Sequence, residues 1–344
     1  MWEKLLLSGK PVVLYGMGNG ADIILDEFAA LGIECSGVFA SDDFVRGQNF
    51  RGFKVEKLSD IEARLDDFTV AVAFASSVDS VIENIINISR RHRLFVPCVP
   101  VYGKEIVNRD FLVENSAEIE APFGLLYDEE SKRIFEQSLR FMFGGELDVL
   151  LDTISSKATV FNGFFKLGNN EDYLDLGAYR GDTIAEFLDF TGGVYSSITA
   201  VEPDAKTFRK LEDFCKKIDR CECINACVSD SDGSVIFNNS AGRQSSISTN
   251  GKEIKSLTID TICRDIGRGV TYLKADIEGA EKHMLQSATE TLKIHKPKLN
   301  IAAYHRSEDF FAIPLLIHSL NEDYRIFLRR HKYIPCWDLN YYCI

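Results

Sequence analysis

The chain has 344 residues, a length that suits about two domains. At 45% hydrophobic and 26% charged it has a globular composition, which excludes a disordered chain, a collagen and a disulfide scaffold. With 39 Lys+Arg against 52 Asp+Glu the net charge is −13, an acid surplus that argues against non-specific nucleic-acid binding and against docking on anionic lipid.

Residues 1–10 hold one short leucine run before Pro11, which is not a signal-peptide pattern. No stretch reaches the roughly 18 unbroken apolar residues of a spanning helix. The expectation is a cytoplasmic protein with no membrane span. Apolar runs at 11–15, 33–39, 70–75 and from Leu94 read as about four strands. Helical patterns lie between them, with Ile23, Ile24, Phe28 and Leu31 on one face and a second amphipathic stretch at 79–91. Strands alternating with helices predict a parallel sheet. Gly16-Met17-Gly18-Asn19-Gly20-Ala21 fits Gly-x-Gly-x-x-Ala between strand and helix, and Asp42 follows the second strand. Three readings stay open for this unit: a handle for a nucleotide or nucleotide-sugar, a nicotinamide site, and a ligand-free scaffold or homodimerisation unit. It is small for a full dinucleotide domain.

From 102 to 166 the pattern turns helical, with runs at 128–143 and 146–154 separated by Gly144-Gly145. This segment is expected to bridge two units and to cover the site of the second. Phe161, Phe164 and Phe165 read as core or as a stacking surface for a sugar or adenine. The expected division is 1–105, 106–166 and 167–344.

Alternation restarts at Tyr173. Strands are expected at 173–177, 197–202, 222–228, 270–275 and 298–304, with helices at 182–190, 204–218, 279–294 and 310–320. Segments 234–238 and 244–249 read as an inserted hairpin with Gly242 near its tip, and 324–328 with 339–343 as a closing antiparallel pair. The basic run 324–332 reads as an edge hairpin with solvated charges. Cys221, Cys223 and Cys227, the tightest of nine scattered cysteines, alternate like strand residues and lack the paired spacing of a zinc site, which favours plain thiols.

The chemistry concentrates at strand ends. Asp175-Leu176-Gly177-Ala178-Tyr179-Arg180-Gly181-Asp182-Thr183 is a glycine loop with an acid at each end. Glycines let backbone approach a ligand closely. A dinucleotide would bring a pyrophosphate, whereas S-adenosyl-L-methionine brings a net positive charge that suits Asp175 and Asp182. Glu202 ends the next strand, where an acid accepts from both ribose hydroxyls. The alternative for these acids is helix capping. Asp276, Glu278 and Glu281 follow the strand at 270–275, and His305 follows the strand after it; a histidine with an ordinary pKa near 6.5 is a candidate base. Asp276, Glu278, His305 and Asp309 also offer metal ligands, but the expectation is a site without a metal.

These residues, with Val201-Glu202-Pro203-Asp204, Ser256-Leu257-Thr258-Ile259-Asp260, Lys274-Ala275-Asp276-Ile277-Glu278-Gly279-Ala280-Glu281 and Tyr304-His305, resemble the FkbM-type family of S-adenosylmethionine-dependent methyltransferases. The likeness runs from near 125 to the end. It implies an α/β class I methyltransferase fold, a seven-stranded sheet with its last strand reversed. It also implies O-methylation, often of a sugar hydroxyl in a polysaccharide, glycan or natural product. The family's acid-Gly-x-x-x-Gly loop falls on Asp175, Gly177 and Gly181, and its ribose acid on Glu202. The expected cofactor residues are Asp175, Gly177, Ala178, Tyr179, Gly181, Asp182, Thr183, Glu202, Pro203 and Asp276. His305, Asp276 and Glu278 are the expected catalytic group, facing a small-molecule or glycan acceptor. The polar insert at 234–252 is a departure that leaves the acceptor open. The competing reading is a nucleotide-sugar or dinucleotide-binding module with an inactive methyltransferase-like unit.

Overall fold

The computed structural model describes residues 1–238, 246–247 and 252–344. Among these residues the chain forms three sheets. The first contains β1 (Val12–Tyr15), β2 (Cys35–Phe39), β3 (Asn49–Phe50), β4 (Phe53–Glu56), β5 (Thr69–Val72) and β6 (Arg93–Phe95), in the order β3-β4-β2-β1-β5-β6. It has six strands where about four were expected. The addition is the β3–β4 hairpin, turned by Arg51 and Gly52 at positive φ, whose two strands are too short to show a period. The other pairings in this sheet are parallel.

The central sheet contains β7 (Asp172–Leu176), β8 (Ser197–Val201) and β9 (Cys221–Ile224). A side sheet follows, made of β10 (Cys227–Val228), β11 (Gly233–Asn238), β12 (Ser246–Ile247) and β13 (Lys252–Leu257) in the order β10-β13-β11-β12. The expected inserted hairpin corresponds to β11 and β12, which pair antiparallel; Gly242 lies outside the described residues. The central sheet resumes with β14 (Tyr272–Ala275), β15 (Lys298–Ala302), β16 (Ile326–Arg330) and β17 (Leu339–Cys343). Its order is β16-β17-β15-β14-β7-β8-β9, and only β17 runs antiparallel to its neighbours. This is the class I methyltransferase arrangement. Its strands read as near-continuous apolar runs because helices cover both faces, leaving Leu174, Leu176, Ile198, Leu273 and Ile301 buried.

The helix expected at 279–294 is two, Glu281–Gln286 and Thr289–Ile294. The break has a tertiary cause. Asp260 accepts the N–H groups of Glu290 (3.0 Å) and Thr291 (2.9 Å), so its carboxylate caps the second helix from outside.

The basic run is also corrected. Arg329, Arg330 and His331 are buried, not solvated. Arg330 donates to the carbonyls of Leu150 (2.6 Å), His331 (3.1 Å) and Tyr333 (2.8 Å) and to the Thr153 hydroxyl. Arg329 pairs with Asp128, the N-cap of the helix Glu129–Gly144, and donates to the Ser131 hydroxyl at 2.8 Å. These cations fasten the helices at 129–152 to the outer edge of the sheet, away from the site that the bridge was expected to cover. Only its last helix, Lys157–Phe161, turns Lys157 and Phe161 toward that site. Phe165 is buried core, and Phe164 stacks on Phe327 at 4.0 Å.

Asp128→Asn keeps the cap but leaves Arg329 without its counter-charge, so urea unfolding should show a loss of about 3 kcal/mol. A loss within error of zero would mean that the pair does not hold these helices.

Candidate functional site

Ligands of open α/β sheets lie beyond the carboxyl ends of the strands. Here the ends of β7 and β14 nearly touch. Gly177 has φ +74°, and a Cβ there would lie 2.0 Å from the carbonyl oxygen of Asp276. Only glycine allows this approach. The strain continues around the edge: Tyr179 (φ 47°) and Glu278 (φ 56°) are both left-handed without being glycine.

A cavity of about 590 Å³ opens over this edge, within the usual range for ligand pockets. Among the described residues it is lined by seven carboxyl side chains, Asp182, Glu186, Glu202, Asp204, Asp276, Glu278 and Asp338, against the permanent cations Lys157, Lys274 and Arg306. Gly177, Tyr179, Thr183 and Pro203 line it too.

Three expected cofactor residues do not reach the cavity. Asp175 is fully buried, with Lys274 Nζ 3.4 Å from Oδ1 and the Thr183 hydroxyl on Oδ2. Burial raises its pKa in spite of those partners. Ala178 is buried, its N–H on the Val201 carbonyl at 3.1 Å. Gly181 (φ +93°) caps the helix Asp182–Thr191, and a Cβ there would lie 2.3 Å from the Phe214 ring. These three support the loop from behind.

Glu202 is almost buried. Its Oε2 accepts the N–H of Tyr179 (3.1 Å) and its Oε1 that of Asp204 (2.9 Å), which fixes the carboxylate at the cavity wall. Burial pushes its pKa up to about 7; the two N–H groups oppose the rise and the Asp204 charge adds to it. Each oxygen keeps a lone pair for a further donor.

The expected catalytic group does converge. His305 Nε2 lies 3.3 Å from Asp276 Oδ1 and 3.7 Å from Glu278 Oε2, while Nδ1 lies 3.0 Å from Glu281 Oε1. Tyr304 Oη donates to both Asp276 oxygens, at 3.1 and 3.2 Å. Burial opposes charge on the His305 ring, but the Glu281 and Asp276 carboxylates outweigh it and hold the pKa well above its ordinary value. An imidazole held charged donates rather than accepts, which runs against the expected role of free base. Burial would raise Asp276, but the hydrogen bond from His305, the Lys274 charge and Tyr304 more than offset it and keep the carboxyl below its usual range.

Sequence reasoning passed over several wall residues. Lys274 reads as an ordinary strand position. Tyr102, Asn300, Tyr333 and Trp337 come from segments with no motif. Tyr304, Trp337 and Tyr333 form an aromatic run, with centroids 6.0 and 5.5 Å apart. Asn300 Oδ1 is buried without a hydrogen-bond partner. Tyr102 brings the N-terminal part of the chain to the site: its N–H donates to the His305 carbonyl at 2.8 Å, and Arg306 lies over its ring at 4.5 Å.

The N-terminal glycine loop has no comparable space. The cavity near Gly20 is about 70 Å³ with a lining that is largely apolar, and the Phe74 ring stands where a Gly16 Cβ would be. Asp42 pairs with Lys57 at 3.4 Å.

The chain resembles solved structures along most of its length. It superposes on methyltransferase FkbM from Methylobacillus flagellatus KT with a TM-score of 0.72 at 20% identity, covering 98% of this chain and 90% of that one. That likeness fixes the fold. Fibrillarin from Aeropyrum pernix, solved with natively bound S-adenosyl-L-methionine, aligns with a TM-score of 0.36 at 15% identity over 54% of this chain and 73% of its own, too weakly to carry weight. No curated protein matches the chain. Strand order and superposition together define a class I methyltransferase fold. Residues 175–335 match the family described as methyltransferase FkbM domain, so the chain carries an FkbM methyltransferase domain. It is an enzyme of methyl transfer, with S-adenosyl-L-methionine as cofactor. The net positive charge of that molecule suits an acidic cavity, at whose wall both Glu202 oxygens are held by backbone N–H groups.

Gly177→Ala should lower stability by about 3 kcal/mol, combining left-handed strain with the clash against Asp276. Gly192 has a similar φ of +60° with nothing within 4 Å of a Cβ. Gly192→Ala should lose only about 1 kcal/mol. Equal losses in chemical denaturation would remove the strand-end contact from the account.

Proposed function

We propose that this enzyme methylates a hydroxyl of a saccharide, in a glycan, polysaccharide or natural product, using S-adenosyl-L-methionine. The observation that carries the reading is the acidic cavity at the carboxyl ends of β7, β8, β14 and β15, with Glu202 held by two backbone N–H groups.

When bound, S-adenosyl-L-methionine supplies an electrophilic methyl carbon on a cationic sulfur. Glu202 accepts from the two ribose hydroxyls, and Gly177, Tyr179, Asp182, Thr183 and Pro203 form the rest of that wall. Asp276 and Glu278 face the acceptor. Their carboxylates accept a hydrogen bond from its hydroxyl, fix the direction of the oxygen lone pair and take up the proton that the oxygen loses when it is methylated. Alignment of this kind supplies much of the rate in such a displacement. His305 and Tyr304 hold Asp276 in place by donating to it.

A saccharide acceptor is favoured by the far wall of the cavity. Tyr304, Trp337 and Tyr333 present ring surface, while the unpartnered Asn300 Oδ1 and the Asp338 carboxyl offer acceptors. Apolar faces alternating with acceptors match a sugar ring, whose C–H face and hydroxyl rim have the same character. The working division is an N-terminal unit (1–105), a bridge (106–166) and the methyltransferase unit (167–344), with Tyr102 lending the first unit's hand to the acceptor wall.

The cofactor half is tested by calorimetry with S-adenosyl-L-methionine in buffers of different ionisation enthalpy. With a free-state pKa of about 7, Glu202 is mostly protonated at slightly acid pH. Two hydroxyls donating to it favour the charged form, so binding there should release a proton, and the release should vanish in Glu202→Gln. A proton balance that is the same in both proteins would take Glu202 out of the ribose site. The acceptor half is tested by mass spectrometry of saccharides incubated with enzyme and cofactor. A one-methyl mass gain on a sugar hydroxyl is expected; gain only on amines or protein side chains would overturn it.

A further inference from the structure

The group around His305 is arranged for more than donation to Asp276. The imidazole lies between carboxylates on both of its nitrogens. On the Nε2 side are Asp276 Oδ1 at 3.3 Å and Glu278 Oε2 at 3.7 Å; on the Nδ1 side is Glu281 Oε1 at 3.0 Å. Ligand atoms of Asp276, Glu281 and His305 all lie within 4.8 Å of one another. We propose that Asp276, Glu278 and His305 Nε2 form a divalent-cation site, with Glu281 holding the imidazole from behind.

The geometry favours the Nε2 side. A cation about 2.1 Å from each of two ligands at a right angle sets those ligands about 3 Å apart. The observed separations of 3.3 and 3.7 Å exceed that by about 0.3 and 0.7 Å, within reach of a side-chain adjustment of the partly exposed Asp276 and Glu278. Asp276, Glu278 and His305 all face the cavity, so positions on the far side of the cation are open to it. The Nδ1 side is closed: Glu281 is fully buried and its Oε1 also takes the N–H of Ile277 at 2.8 Å. Glu281 Oε1, 3.0 Å from Nδ1, stands where an outer carboxylate stands behind a metal-binding histidine, and a cation taken up at Nε2 would displace the proton of that nitrogen to solvent.

A second observation points the same way. Glu281 Oε2 is buried with no hydrogen-bond partner. An unsatisfied carboxylate oxygen there is costly unless more positive charge stands nearby than one imidazolium provides. Two oxygens and one nitrogen suit Mn²⁺ better than Mg²⁺, which prefers oxygen throughout. The functional sense of the site, gripping an acceptor hydroxyl beside the methyl donor, rests on the methyltransferase reading; the binding itself does not.

The test uses the full chain, stripped with a chelator and titrated with MnCl₂, with free Mn²⁺ followed by electron paramagnetic resonance. One Mn²⁺ per chain is expected. Glu278 is partly exposed, so Glu278→Gln should fold, and it should weaken uptake at least about tenfold. Glu281→Gln, which alters only the support, should weaken it about 10- to 100-fold without abolishing it. S-adenosylhomocysteine binding is measured on the same samples. If wild type takes up no Mn²⁺ saturably, or Glu278→Gln binds it as wild type does, the cation site is wrong. S-adenosylhomocysteine binding without Mn²⁺ uptake would overturn this site alone and leave the cofactor reading standing. Mn²⁺ uptake lost in Glu278→Gln, in a protein that ignores S-adenosylhomocysteine, would uphold the site and overturn the function.

Discussion

Everything at the site depends on how the ends of β7 and β14 meet. Gly177 lies under the Asp276 carbonyl, and Lys274, buried two residues earlier on β14, lies against Asp175. Burial disfavours the Lys274 charge, but Asp175, Asp276 and Asp182 more than restore it. This one buried cation lets so many carboxylates gather at a single sheet edge. Without it, Asp175 would be an unpaired charge inside the protein, a cost of several kcal/mol.

The arrangement separates the acids into two kinds. Asp175 is spent on the fold, paired with Lys274 and Thr183. Glu202, Asp276 and Glu278 remain open to the cavity, each fixed by the backbone or by a neighbour. An acidic surface of this kind repels phosphate and attracts a cation. The choice between a dinucleotide and S-adenosyl-L-methionine is thus made by charge, on a loop whose glycines would serve either. The first glycine loop makes the contrast. It has a similar spacing, but Phe74 covers Gly16 and the cavity near Gly20 is only about 70 Å³.

Much of this was legible in the sequence. Apolar runs ending in Gly177, Glu202, Asp276 and His305 located the strand ends, because a parallel sheet places its chemistry there. The reversed last strand followed from the family resemblance. What the sequence hid has physical causes. Lys274 looks like a solvent-facing strand residue until the sheet stacks it on Asp175. The helix break at Ser287 depends on Asp260, about thirty residues earlier, which no local pattern records. Arg329 and Arg330 look exposed in a basic run, yet they hold helix caps and carbonyls contributed by residues 128–153. Tyr102 reaches the cavity from the end of the first unit, and Tyr333 and Trp337 from the β16–β17 connection. His305 was recognisable as a strand-end residue, but the carboxylates that surround its ring are visible only in three dimensions.

The claim under all of this is that the cavity beside Gly177 selects positive charge. The most direct measurement is a pair of calorimetric titrations of the ligand-free enzyme, one with S-adenosyl-L-methionine and one with ADP, at low ionic strength where charge is least screened. The account predicts saturable binding of the sulfonium compound and none of the diphosphate. Tight binding of ADP with no uptake of S-adenosyl-L-methionine would contradict it.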